Sequence, residues 1–200
     1  LKKLLLTGFE PFLEFPINPT ADIVNELNGV KINDYEITSE VLTVDFNQSG
    51  TEMIEKMKQH RPDAVIALGL AGGRHCITPE RVAINCNDGP KDNRGYEPKG
   101  ERIFTEGPDA YFSTLPIYAM IQSMKEAGLP AKISNTAGTY LCNNVMYHAL
   151  HYYRVNNLDG KAGFIHVPAS HALALEKSLP SWSQEDLVKA IRIAITCLNE

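Results

Sequence analysis

The chain has 200 residues, 44% of them hydrophobic and 22% charged, with a net charge of −5, which is the make-up of one globular domain (1–200) with a substantial core. It has no basic cluster of five or more and no apolar run near the ~18 residues of a membrane helix, so nucleic acid and membrane are poor expectations as partners. Cys76, Cys86, Cys142 and Cys197 are scattered without Cys-x-x-Cys pairs, so neither a disulfide framework nor a zinc site is expected, and free thiols in a cytoplasmic protein are the simplest account.

The opening Leu1–Gly8 places lysines before leucines. Its apolar run is shorter than the ~7–15 residues of a signal-peptide core and reads as a buried strand over Lys3–Leu6. Thr7–Asn18 reads as a loop holding Phe9, Phe12 and Phe15. Those rings either plug the end of a sheet or wall an apolar ligand site. Pro19-Thr20 starts a helix that ends near Asn28-Gly29. Tyr35–Val44 alternates as a strand whose direction is open, and Ser49–Gln59 reads as a helix closed by Pro62.

Ala64–Leu68 is a fully buried strand running into Gly69-Leu70-Ala71-Gly72-Gly73-Arg74. That turn lacks the Gly-Lys-Ser/Thr ending and the Gly-x-Gly-x-x-Gly spacing, so phosphate binding has little support. A glycine-rich backbone at a strand's carboxyl end still suits a ligand crevice. Thr78–Asn87 reads as extended, and residues 88–109 as a long, charged, aperiodic loop. Pro116–Ala127 is a helix with Gly128 behind it, Ala131–Ser134 a strand, and Gly163–Pro168 another. Ser183 caps a last helix with Asp186 at its third position. Strands alternating with helices predict a three-layer α/β/α sandwich with a mixed, largely parallel sheet.

The densest signal is Ser134 to Leu150. A polar turn with Gly138 leads into a helix whose Leu141, Val145 and Ala149, broadened by Met146, Leu150 and Tyr153, form one buried stripe. Cys142 therefore sits in the first turn of a helix, where free N–H groups and the dipole favour an anion, and where a thiol's pKa can fall toward neutrality. Its plain alternative is a small buried hydrophobe.

A nucleophilic thiol needs a base, and the base an orienting acceptor. His148 and His151 fall on the polar side of the Cys142 helix, His75 and His171 in loops, and His60 at a helix end. His166 ends an apolar strand, on the sheet edge where ligands bind, though it could equally be a satisfied core residue. Glu80 and Asp92 are the candidate carboxylates. Glu80 could instead pair with Arg74; Arg81, adjacent on an extended chain, points the other way.

Several segments together resemble the pyroglutamyl-peptidase I family of cysteine peptidases, also called pyrrolidone-carboxylate peptidases. They are Leu5–Phe12, Asn18-Pro19, Gly72-Gly73-Arg74, Ile77–Asn85, Asp92-Asn93, Thr136–Asn143 and Gly163–Pro168, and in this order they span nearly the whole chain. The resemblance implies a Glu80, Cys142 and His166 triad with Asp92 near it. It also implies that Phe9, Phe12, Asn18, Thr43, Leu70, Tyr140 and Leu141 serve a pocket for the pyroglutamyl ring. Leu70 stands where many members carry Gln, Leu13-Glu14-Phe15 replaces a glycine pair, and an Arg common near residues 88–92 has no match. Removal of an N-terminal pyroglutamyl residue from peptides through a thioester, without metal or cofactor, by a cytoplasmic homotetramer is what the resemblance implies. The alternatives are another cysteine-dependent amidase, or a catalytically weakened small-ligand binding protein on the same scaffold.

Overall fold

The computed structural model describes residues 1–200. In chain order it runs β1 (Lys2–Phe9), α1 (Pro19–Leu27), β2 (Lys31–Ile32), β3 (Tyr35–Leu42), α2 (Ser49–His60) and β4 (Ala64–Leu70). Five short strands follow: β5 (Thr78–Pro79), β6 (Val82–Ile84), β7 (Asn87–Asp88), β8 (Lys99–Glu101) and β9 (Ala110–Phe112). Next come α3 (Ile117–Glu126), α4 (Leu141–Val155), β10 (Lys161–Val167), β11 (Ala169–Ser170), α5 (His171–Ala174), β12 (Ser181–Trp182) and α6 (Gln184–Thr196).

The main sheet has six strands in the order β2-β3-β1-β4-β10-β5. The β3–β1, β1–β4 and β4–β10 pairs are parallel, while the edge pairs β2–β3 and β10–β5 are antiparallel. The expected mixed, largely parallel sheet is therefore present, and β3 is parallel to its neighbour. One face packs Leu4, Leu6, Ile66 and Ile165 against residues of α1, α3 and α6. The other packs Leu5, Val65, Ala67 and Phe164 against residues of α2 and α4. Strands covered on both faces read as continuous apolar runs, which is why β1, β4 and β10 stood out. No helix is long and apolar enough to cross a membrane.

Three local expectations need correction. Gly69 and Leu70 belong to β4 rather than to the turn after it. Ala131–Ser134 is not a continuous strand: only isolated bridges, Ile77 with Ala131 and Glu80 with Ser134, run beside β5. The chain turns between its partners there, since Glu80 N–H donates to Phe164 O while Arg81 N–H donates to Ser134 O. His148 and His151 do not lie on a solvated face. An added Cβ on Gly50 would fall 2.1 Å from the His148 ring, so α2 and α4 cross closely there. His151 stacks on Phe104 with ring centroids 4.2 Å apart.

Candidate active site

Cys142 is the second residue of α4. The helix forms as its stripe requires, with Leu141, Val145, Met146, Ala149 and Leu150 buried on the sheet. Gly138 takes φ +78 in the turn before it. Asn143 fixes where the helix begins: its side chain accepts from Ile84 N–H and donates to Ile84 O and Cys86 O. Tyr140, at the N-cap, contributes no side-chain cap. First-turn N–H groups lack partners within their own helix, so the Cys142 end of α4 keeps donors for an incoming oxygen.

The sulfur lies over the carboxyl end of β4. An added Cβ on Gly69 would fall 2.9 Å from Cys142 Sγ. Gly69 is the register partner of His166, and His166 in turn faces Thr78 across the antiparallel edge. Alternate residues share a sheet face, so His166 points the same way as Phe164, toward α4. Their rings are 4.8 Å apart. Sulfur and imidazole thus lie on the same face, above neighbouring positions of one row across the sheet.

His166 Nδ1 is 2.6 Å from Glu80 Oε1, and both residues are buried. The contact leaves Nε2 as the ring nitrogen that can take a proton. Arg74 Nη1 also donates to Glu80 Oε1, at 3.0 Å. The two readings of Glu80 from sequence, imidazole partner and ion-pair partner of Arg74, both hold at once. Glu80 Oε2 is buried without a partner.

A small apolar hollow, open to solvent, lies beside the sulfur. Phe9, Phe12, Val44, Gly69, Leu70, Tyr140, Leu141 and Cys142 line it. Tyr140 is braced by Phe46, ring centroids 5.3 Å apart, and its hydroxyl donates to Lys91 O.

Five expected pocket residues, Phe9, Phe12, Leu70, Tyr140 and Leu141, reach this hollow; Thr43 and Asn18 are turned elsewhere. The Thr43 N–H and hydroxyl donate to the two carboxylate oxygens of Glu52 on α2. Its neighbour Val44 takes the wall, as alternation in an extended chain dictates. Asn18 caps α1, its Oδ1 accepting from Thr20 N–H, while Thr20 Oγ1 accepts from Phe9 N–H. Asn18 therefore steadies the Phe9 wall from behind. Asp92 does not touch Glu80, Cys142 or His166 through a hydrogen bond: it accepts from Phe46, Arg94 and Tyr96 N–H and closes a loop. Gly69 and Arg74 were missed as parts of the site. A glycine at the end of an otherwise apolar strand is a sign of close approach, and would have found Gly69.

The groups packed around Cys142 oppose the expected fall in its thiol pKa. Burial pushes the Cys142 thiol up to about 12, and the Glu80 charge adds to the rise, while its own backbone N–H and the Arg74 charge pull the other way. Burial likewise holds His166 below the ordinary 6.5, with the Glu80 contact pulling up and Arg74 pulling down. The helix end contributes only part of a charge; desolvation of a buried anion outweighs it. Both shifts act in the direction of a neutral thiol and a neutral imidazole.

The chain is similar to known proteins over its whole length. A family model described as pyroglutamyl peptidase matches residues 2–200. The pyrrolidone-carboxylate peptidase of Oceanobacillus iheyensis is 56% identical over 199 residues, covering 100% of both chains. That of Halalkalibacterium halodurans is 50% identical, covering 96% of both. Among solved structures, Bacillus amyloliquefaciens pyroglutamyl peptidase I superposes with a TM-score of 0.95 at 42% identity, covering 99% of this chain and 97% of that one. A mutant pyrrolidone carboxyl peptidase from Pyrococcus furiosus gives 0.96 at 40% identity, with 98% of each chain covered. With the match running through the whole chain, the protein belongs to the pyroglutamyl peptidase family.

Proposed function

We propose that residues 1–200 act as one pyroglutamyl-peptidase domain that removes N-terminal pyroglutamate from peptides, with Cys142, His166 and Glu80 as its catalytic residues. The reading rests on family membership together with one observation, the Glu80–His166 contact of 2.6 Å beside a thiol at a helix start. Pyroglutamate is a closed lactam with no free ammonium, and an apolar hollow walled by aromatic rings suits such a ring.

In this reading the thiol proton moves to His166 Nε2 as the sulfur bonds to the pyroglutamyl carbonyl carbon. Glu80 holds the Nδ1 proton and stabilises the imidazolium. The Cys142 N–H donates to the oxyanion, a contribution of ~3 kcal/mol for one well-placed donor. Collapse breaks the C–N bond, and His166 returns its proton to the leaving amine. Water, deprotonated by His166, then cleaves the thioester and restores the thiol.

The decisive assay is dye release from a pyroglutamyl amide. Cys142→Ser should stay folded and lose nearly all turnover; full activity in that variant removes Cys142 from the mechanism. Inclusion of free-amine and glutamine amides tests the alternative of another cysteine amidase, which would cleave them as well.

Cytoplasmic location and tetrameric assembly belong to the same proposal. The four free cysteines suit a reducing compartment. Phe112 and Tyr118 expose 70% and 65% of their surface, apolar area that assembly would cover. Sedimentation at equilibrium reads the assembly directly, and a monomer at micromolar concentration rejects it.

A further inference from the structure

Arg74 leaves the β4–β5 connection, where Gly73 takes φ +98, and returns toward the sheet edge. Its Nη1 lies 2.5 Å from Thr78 Oγ1 and 3.0 Å from Glu80 Oε1. Thr78 is buried and sits in register with His166. One guanidinium nitrogen therefore bridges two residues of a single extended segment, both beside the imidazole.

The carboxylate is loaded unevenly. Oε1 accepts from both His166 and Arg74, while Oε2 is buried and bare. A buried carboxylate with one satisfied oxygen gains orientation from the contacts that select that oxygen. With His166 alone, either oxygen could face the ring and the carboxylate could rotate. With Arg74 tied to Thr78, only Oε1 answers both donors.

We propose that Arg74, anchored on Thr78, is a positioning residue of the site, which holds Glu80 Oε1 on His166 Nδ1 and carries its positive charge to the imidazole through that shared oxygen. The inference rests on the reading of Cys142, His166 and Glu80 as catalytic. Arg74 acts on the base and not on the ring hollow, whose lining does not include it. Its loss should therefore lower kcat and leave KM nearly unchanged.

The charge also gives a signed prediction. A cation near a base opposes its protonation, as Arg74 does for His166. In Arg74→Met the acid limb of kcat/KM should move to higher pH, by roughly 0.5–1 unit. Glu80→Gln removes the opposite charge and should move it to lower pH. A merely structural role for Arg74 moves both parameters without that sign.

The test is kcat and KM across pH 4.5–9 on a pyroglutamyl amide for wild type, Arg74→Met, Arg74→Lys, Thr78→Val, Glu80→Gln and Cys142→Ser. Arg74→Met should lose about tenfold in kcat, keep KM within about twofold and show the upward limb. Arg74→Lys keeps the charge and should restore the limb with part of kcat. Thr78→Val should follow Arg74→Met more weakly. An unmoved or downward limb in folded Arg74→Met overturns the inference. If Arg74→Met does not fold, a Thr78→Val limb identical to wild type does the same. Turnover surviving in Cys142→Ser instead sinks the reading beneath it, so the two failures are distinguishable.

Discussion

Gly69 and Cys142 occupy one space: a single methyl on Gly69 would stand 2.9 Å from the sulfur and 2.6 Å from the Phe164 ring. Neither neighbour is free to retreat, since Phe164 is fully buried and Cys142 is held by α4. Gly69→Ala should therefore cost about 1–3 kcal/mol by overpacking. A sulfur displaced by about 1 Å should cost around 100-fold in kcat/KM. Thermal unfolding and amide turnover, read on the same preparation, check both. Wild-type turnover in folded Gly69→Ala would show that the sulfur's position is unimportant.

The raised thiol pKa makes a claim about reactivity. A thiolate is the species that alkylates, so the free enzyme should react slowly with iodoacetamide at pH 7 despite its catalytic sulfur. The rate at Cys142 should climb steadily from pH 7 through pH 9 and beyond, without a plateau. Mass spectrometry of the labelled peptide separates Cys142 from Cys86, which is likewise half-buried as a residue. Fast labelling that stays level down to pH 5 would show a preformed thiolate–imidazolium pair.

That reversal marks where sequence stops being informative. The stripe Leu141–Val145–Ala149 located the helix, and a helix start is local, so Cys142 was legible. Its proton affinity depends on everything packed above it, and burial is set by β4, β10 and the 9–12 loop together. Thr43, implied by resemblance, is a different case: it faces Glu52 while Val44, the next residue, faces the hollow, since adjacent residues on an extended chain point opposite ways. The order of β1, β4 and β10 in the sheet likewise follows from packing that no short stretch encodes. Arg74 was visible as a rival partner for Glu80 and as part of a resembling segment, but sequence offers no sign that a single carboxylate oxygen serves two donors.

Three histidines should make the protein acid-sensitive. Burial holds His166, His148 and His151 below the ordinary 6.5. The unfolded chain takes up these protons near 6.5 while the folded chain resists them, so the neutral rings stabilise fully above that pH. The contribution is lost as pH falls below 6.5 toward the folded-state values. Melting temperature should drop between pH 7.5 and pH 5.5, and His148→Gln should flatten part of that slope. A melting temperature that is level or rising over this interval contradicts the assignment of buried neutral rings.

Asp92 separates loop architecture from chemistry. Its carboxylate accepts from Phe46, Arg94 and Tyr96 N–H, at 2.9, 2.9 and 3.0 Å. The next residue, Asn93, donates its N–H to Val44 O. The loop thereby holds Val44, which walls the hollow, and Phe46, which braces Tyr140. Asp92→Ala leaves buried donors unpaired and should destabilise by about 2–4 kcal/mol. Because the loosened wall binds substrate and transition state alike, KM should rise about tenfold with kcat within about threefold. Asp92→Asn keeps an acceptor oxygen and should fall between. A hundredfold fall in kcat at unchanged KM in Asp92→Asn would instead place the carboxylate among the reacting groups, with its charge acting on His166 or Cys142.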